Sequence, residues 1–263
     1  MKKLLFLVIL FFAKYTFAQT DTAFWFAAPD VSSSNSYDRP IVFRISSYQF
    51  SSTVVLSQPA NATFTPITIN LTPFSTQTIN VTSQLANIEC QPANVIQNRG
   101  IKITATNKIG VYYEVNEAAP NPEIFSLKGK NALGTQFYIS SQNLLRNSSF
   151  YPVTPLSSFN IVASEDNTLI TITPTKNIVG HSANIPFTII LHKGQTYSAE
   201  ASSQLANQHL DGSSILSTKP IAITLEDDLL EGGDLYGGLC HDLAGDQTVP
   251  FTSLGTEYIA IRS

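Results

Sequence analysis

Charge is scarce in this 263-residue chain: Lys, Arg, Asp and Glu together make up 13% of it, about half the share usual in soluble domains. Methionine and tryptophan occur once each and cysteine twice. Beyond the N-terminus no apolar run approaches the roughly 20 residues of a membrane-spanning helix. Nor does helical spacing of apolar residues persist for ten residues, which argues against helix bundles and α/β folds. His181, His192, His209 and His241 stand at no metal-ligand spacing, and no His-Glu-x-x-His is present. Cys90 and Cys240 form no metal-type motif. Gly232-Gly233 and Gly237-Gly238 lack the Lys-Ser/Thr of a phosphate cradle, so a flexible loop is expected there. None of these residues assembles a catalytic site, and no catalytic residue or cofactor is expected.

What is present begins with an export signal. Met1-Lys2-Lys3 is basic, 4–13 is apolar, and Thr16-Phe17-Ala18 offers small residues before a cleavage site. A ten-residue apolar run is too short to span a bilayer, so cleavage between Ala18 and Gln19 is expected, a membrane anchor being the alternative. No cysteine follows to carry a lipid. Removing 1–18 takes Lys2, Lys3 and Lys14, which leaves 12 basic residues against 19 acidic ones and a net charge near −7. An acidic chain is a poor partner for nucleic acid or anionic membranes. In an oxidising compartment Cys90 and Cys240 are a possible disulfide, two separately buried thiols being the alternative.

The chain repeats itself. Ser83-Gln84-Leu85-Ala86-Asn87 recurs as Ser203-Gln204-Leu205-Ala206-Asn207, and an ungapped match of 67–104 onto 187–224 contains 12 identities in 38 positions. Ile101, Ile103 and Thr104 fall on Ile221, Ile223 and Thr224 in that match, while Phe24-Trp25-Phe26 resembles Phe137-Tyr138-Ile139 at a shorter offset. Leu133-Gly134-Thr135 recurs as Leu254-Gly255-Thr256. The expected organisation is a signal over 1–18, one β unit over 19–132, a second over 133–253, and the start of a truncated third over 254–263.

Within a unit the pattern alternates with period two. Strands are predicted at 41–46, 53–56, 67–71, 76–81, 101–106, 110–115, 137–140, 159–163, 169–173, 187–191, 195–200 and 221–226. Pro73-Phe74-Ser75 and His192-Lys193-Gly194 are corresponding hairpin turns, Gly194 supplying a backbone free to take positive φ. The predicted class is all-β, with tandem β-sandwich-like units and propeller blades as the alternative.

Glu226-Asp227-Asp228, Glu231, Asp234, Asp242 and Asp246 form the densest acidic stretch. Its spacing does not fit the twelve-residue calcium loop, so a solvated loop is expected, with calcium as the alternative. Asp227 and Asp228 would point to opposite faces of a strand, which argues against a paired-carboxylate glycosidase site. His192 is expected in an exposed turn and His241 in a structural loop. Trp25 is expected in the core of the first strand, with stacking on a sugar ring as the alternative. Asn61, Asn70, Asn80 and Asn147 match the N-glycosylation pattern.

Five segments carry a resemblance: Asp21-Thr22-Ala23-Phe24-Trp25-Phe26-Ala27-Ala28-Pro29, Asp38-Arg39-Pro40-Ile41, Asn98-Arg99-Gly100-Ile101-Lys102-Ile103-Thr104, Ala163-Ser164-Glu165-Asp166-Asn167-Thr168, and Gly245-Asp246-Gln247 running on to Leu254-Gly255-Thr256-Glu257-Tyr258. Together they resemble the N-terminal domain family named after IgG-Fc-binding protein, as it occurs in secreted Bacteroidota gliding-motility and type IX-sorted surface proteins, across essentially the whole mature chain. The resemblance implies a β-rich extracellular module with a binding or adhesive role. It fixes no binding residue and does not establish IgG as ligand. The expected function is a non-catalytic, cell-surface binding or adhesion module of a larger secreted protein, its ligand a glycan or glycoprotein. The alternatives are a structural stalk repeat and a secreted polysaccharide-acting hydrolase.

Overall fold

The computed structural model describes residues 19–31, 39–115, 123–150, 154–232 and 241–255. The first half of the chain forms β1 (Asp21–Phe26), β2 (Ile41–Ser47), β3 (Ser52–Ser57), β4 (Ile67–Leu71), β5 (Thr76–Asn80), one helical turn α1 (Leu85–Ile88), β6 (Ile96–Gln97), β7 (Ile101–Val115) and β8 (Glu123–Ser126). The second forms β9 (Gly134–Tyr138), β10 (Arg146–Asn147), β11 (Ser157–Ala163), β12 (Thr168–Thr173), β13 (Phe187–Leu191), β14 (Thr196–Glu200), β15 (Ser214–Glu231) and β16 (His241–Gln247). The export segment, Asp234, Gly233, Gly237, Gly238, Cys240 and the third-unit residues from 256 on lie outside the described residues.

Each half is built around one long strand. The first part of β7 is flanked by β1 and β3, its second part by β2 and β8, and β4 and β5 complete the two layers. The β1 register slips between Asp21 and Ala23 where β7 passes from one layer to the other, as expected where a strand turns a corner between packed sheets. β15 repeats this with β9 and β12, then β11 and β16. Alternate residues of each strand face inward. Phe24, Phe26, Phe43, Ile45, Val54, Leu56, Val111, Tyr113 and Phe125 fill the first core. Phe137, Phe159, Ile161, Ile170, Ile172, Ile215 and Ile223 fill the second. Each half is thus built on its own core, although Leu243 of β16 also packs into the first, and the fold is one of tandem sandwiches and not of propeller blades.

The predicted strands at 101–106 and 110–115 are one continuous β7, and β15 extends well beyond the predicted 221–226. β6, β8, β10, β16 and α1 were not anticipated. Pairing also corrects the repeat register. β5 and β14 correspond 120 residues apart, since Asn80 opposite Val42 matches Glu200 opposite Ser158. Glu114 opposite Val42, however, matches Glu226 opposite Ser158, only 112 residues on. Ile221 therefore corresponds to Ile109 rather than Ile101, because the link before the long strand is shorter in the second half. Phe24 does correspond to Phe137, opposite Ile103 and Ile215 respectively.

The halves are packed together. Ile96 and Gln97 of β6 extend the second sheet along β14. Trp25, Ala27, Cys90, Ala132, Val162 and Ala222 form a small third core at the junction. Gln247 donates to the Trp25 carbonyl at 2.7 Å, and Lys128 pairs with Asp246 at 2.5 Å.

Candidate functional site

The duplication provides an internal control for function, because each loop of one half can be compared with its counterpart. β2 and β3 are joined by Tyr48-Gln49-Phe50-Ser51, and β11 and β12 by Ser164-Glu165-Asp166-Asn167. The adjoining hairpin turn is Thr72-Pro73-Phe74-Ser75 in the first half and His192-Lys193-Gly194-Gln195 in the second. One half presents aromatic rings where the other presents charged and amide groups.

In the second half this end meets the first half at Gly194 and Gln195, while Glu165, Asp166, Asn167, His192 and Lys193 stay exposed. Gly194 accepts a hydrogen bond from Gly100 N at 3.0 Å, and a Cβ at Gly194 would come within 2.9 Å of Ala60 N. Gly194 has φ of +81°, as its place in the turn predicts. Gln195 Nε2 donates to Asn98 at 3.1 Å, and Lys193 N to Asp166 at 3.0 Å. The second half thus docks onto the first through this end.

In the first half the same end is open. Phe74 is 77% exposed and Phe50 64%. With Thr20, Tyr48, Gln49, Asn107 and Lys108 they line a cavity of about 430 Å³. Phe74 has φ of +54°, a conformation that costs a bulky side chain roughly 1–3 kcal/mol. The turn is held there by Phe74 N donating to Tyr48 O at 2.8 Å and by Ser47 Oγ donating to Thr72 O at 2.5 Å. Tyr48 lies over Gly110, where a Cβ would come within 2.8 Å of the phenol oxygen. Asn107 Nδ2 donates to Ser51 O at 2.8 Å, which fixes the opposite wall. Aromatic faces flanked by amides and an ammonium group suit stacking on apolar ring faces with hydrogen bonding around the rim.

The residues singled out in the sequence lie elsewhere. The acidic stretch is not a solvated loop. Glu226, Asp227 and Asp228 are buried within β15, and Asp242 and Asp246 are in β16, which pairs with it. Glu231, at the end of β15, pairs with Arg146 at 3.1 Å. Trp25 is buried at the junction between the halves with Lys102 Nζ 5.3 Å from its ring centroid, so its ring is not available to a sugar. Cys90 is a free, fully buried thiol pushed up to about 12 by burial. Its proposed partner Cys240 lies outside the described residues. Gln19 is exposed and Ala18 is outside them. Asn70 and Asn80 are exposed, Asn61 is half-buried, and Asn147 is completely buried.

A second cavity, of about 440 Å³, is lined by Lys128, Ser141, Glu226, Asp227 and Asp246 among others. Ser141 Oγ donates to Asp227 Oδ2 at 3.0 Å, and His209 Nδ1 lies 3.1 Å from Asp227 Oδ1. This brings together a serine, an acid and a histidine, but with the carboxylate between the other two. A nucleophilic serine needs the imidazole to take its proton. Here the hydroxyl is held by the carboxylate, and the His209 side chain is wholly enclosed. The trio braces a loop against β15. His192 is exposed in the hairpin turn as expected, His181 stacks on Phe187, and His241 is in β16. Among the described residues no three His, Cys, Asp or Glu side chains converge as metal ligands. No described helix is long and apolar enough to cross a membrane.

The aromatic site is not identified in the sequence, where Phe74 is only part of a hairpin turn and Tyr48 and Phe50 have no assigned role. The signal was nonetheless present: the 120-residue offset sets Phe74 against Gly194, an aromatic residue at a turn position where the duplicate uses glycine.

None of the curated proteins matches the chain. A family model does match, that of IgGFc binding protein, over residues 125–263. The match spans β8 onward and so takes in the second sandwich. The expected likeness in Asp21–Pro29 and in 98–104 falls before it. With more than half of its length matched, the chain belongs to the IgGFc binding protein family.

Proposed function

We propose that the chain is a non-catalytic, extracellular binding module of a larger secreted protein, and that it takes a glycan or glycoprotein at the Tyr48, Phe50 and Phe74 end of its first sandwich. The family is a binding-type one, which supports the general class. The observation that carries the particular reading is Phe74. A bulky ring in a left-handed conformation, where the duplicate half uses Gly194, is strain retained for display, and such strain concentrates at ligand sites. The corresponding end of the second half is itself a docking surface, which supports recognition at this end of the sandwich.

The basic and apolar residues of 1–18, followed by Gln19, support export and signal cleavage. The likeness to gliding-motility and type IX-sorted proteins supports a Bacteroidota cell surface. The Ser141, Asp227 and His209 arrangement favours bracing over hydrolysis. An array of glycans and glycoproteins probed with the exported chain tests the reading. Saturable binding to one ligand class is expected. An array without a hit would contradict it and leave the stalk reading.

A further inference from the structure

The correspondence of Glu114 with Glu226 exposes a difference in charge compensation. In the first half Arg44 Nε and Nη2 hold the two Glu114 carboxylate oxygens at 2.6 and 2.8 Å. Arg44 is opposite Tyr112, and the matching pair in the second half is Asn160 opposite Thr224. The guanidinium of one half is therefore replaced by a neutral amide in the other, while the carboxylate is kept. The setting also changes: Arg44 is partly exposed on an outer face, whereas the same face of the second sandwich is covered by the first.

Glu226 is 4% exposed, and Asn160 and Thr224 are completely buried. Ser158 Oγ donates to Glu226 Oε1 at 2.5 Å, and Asn160 Nδ2 donates to Ser158 Oγ at 3.1 Å. Glu226 Oε2, Asn160 Oδ1 and Thr224 Oγ1 then have no hydrogen-bond partner among the described residues. All three are oxygens on one outward face of adjacent strands. Unsatisfied buried oxygens are costly, and a buried carboxylate is retained only when protonated, paired or bound to a metal. Burial acts most strongly on Glu226, followed by the Asp228 carboxylate, the Ser158 hydrogen bond, and then Asp30 and Glu200, and no described basic side chain pairs with it.

We propose that the layer between the two sandwiches holds a hard, oxygen-coordinated cation of the calcium class, bound by Glu226 Oε2, Asn160 Oδ1 and Thr224 Oγ1 in the place that the Arg44 guanidinium takes in the first half. Carboxylate, amide and hydroxyl oxygens without nitrogen or sulfur ligands select hard cations. Calcium takes carbonyl and hydroxyl oxygens in flexible geometry, whereas magnesium demands near-ideal octahedral geometry and keeps its water. Several surrounding carboxylates favour a divalent ion over a monovalent one. The site is independent of the aromatic end, and its three ligands all belong to the second sandwich, on the face that the first covers.

The test is thermal unfolding and titration calorimetry on the full chain after chelation, with calcium chloride as the probe up to about 5 mM, a range that covers extracellular calcium modules. The expected result is one bound ion per chain and a melting temperature that rises with calcium concentration. E226Q keeps the fold and loses both responses. N160R, which supplies the missing guanidinium, keeps its melting temperature without calcium if it folds; E226Q decides the matter if it does not. No calcium response in the wild type, an unchanged response in E226Q, or an equal response to magnesium chloride at matched ionic strength would each overturn the site.

Discussion

Phe74 and Gly194 are the same turn position, used for opposite purposes. Gly194 is needed twice over, for its φ of +81° and for the close approach of Ala60. G194F is therefore expected to lower stability by more than about 2 kcal/mol, whereas F74G is expected to leave it unchanged or raise it by up to about 1 kcal/mol. In F74G the relief of strain offsets the added freedom of the unfolded chain. Urea denaturation of the two variants checks the contrast, and equal losses in both would show that Phe74 is structural. Cys90 gives a second prediction. Its thiol is buried and pushed up to about 12, so native protein should resist thiol-directed alkylation at Cys90 until unfolded, as peptide mass mapping would read. Such residue-level environments were the least legible part of the sequence. Trp25 was correctly assigned to the interior, but that its interior lies between the sandwiches depends on how the halves meet.

At the scale of elements, period-two alternation located most strands. β4 and β13 fall at the predicted residues because one face of each is buried and the other is wet. Failure came where both faces are covered. Ser158, Asn160, Thr224 and Glu226 occupy outward positions of β11 and β15, so a polar residue there reads as solvent-facing, yet the first sandwich lies over them. β16 shows no strand signal in the sequence because His241-Asp242-Leu243-Ala244-Gly245-Asp246-Gln247 has little β propensity. Its pairing with β15 is tertiary. β6 was hidden for the same reason, since a two-residue strand gains meaning only from the edge of β14. Gly100 lies at this seam, where a Cβ would come within 2.5 Å of Val162 and 2.6 Å of Gly194 O. G100A is accordingly expected to destabilise the protein by about 1–3 kcal/mol, measured by urea denaturation. A variant as stable as wild type would show that the seam is loose.

At the scale of the whole molecule, acids and apolar groups are enclosed between the two sandwiches. Glu89 is pushed up to about 8, by burial first and then by Asp30. Glu200 is raised to about 7, again by burial and then Asp30, and Glu226 is raised by burial and Asp228. Such groups bind protons in the folded state that the unfolded chain, with ordinary values near 4.5, has already released. Their contribution to stability is complete below that value and is lost as pH rises through about 7 to 8. The urea midpoint in chelator is therefore expected to fall between about pH 5 and about pH 8.5, and a flat or rising profile would contradict the enclosed acids. The duplication was legible at this scale, and so was the all-β class. The fusion of the halves was not, since Lys128 with Asp246 and Gln247 with Trp25 are separated by much of the chain.

The central claim is that the open aromatic end of the first sandwich is the ligand site. Its most direct test is the affinity of wild type and of the F50S/F74G double variant for the same glycan or glycoprotein, with melting temperatures measured alongside. The account predicts binding at least about ten-fold weaker, a loss of about 1.4 kcal/mol or more, with no fall in melting temperature. Equal affinity in the two proteins would place the ligand elsewhere and contradict the account.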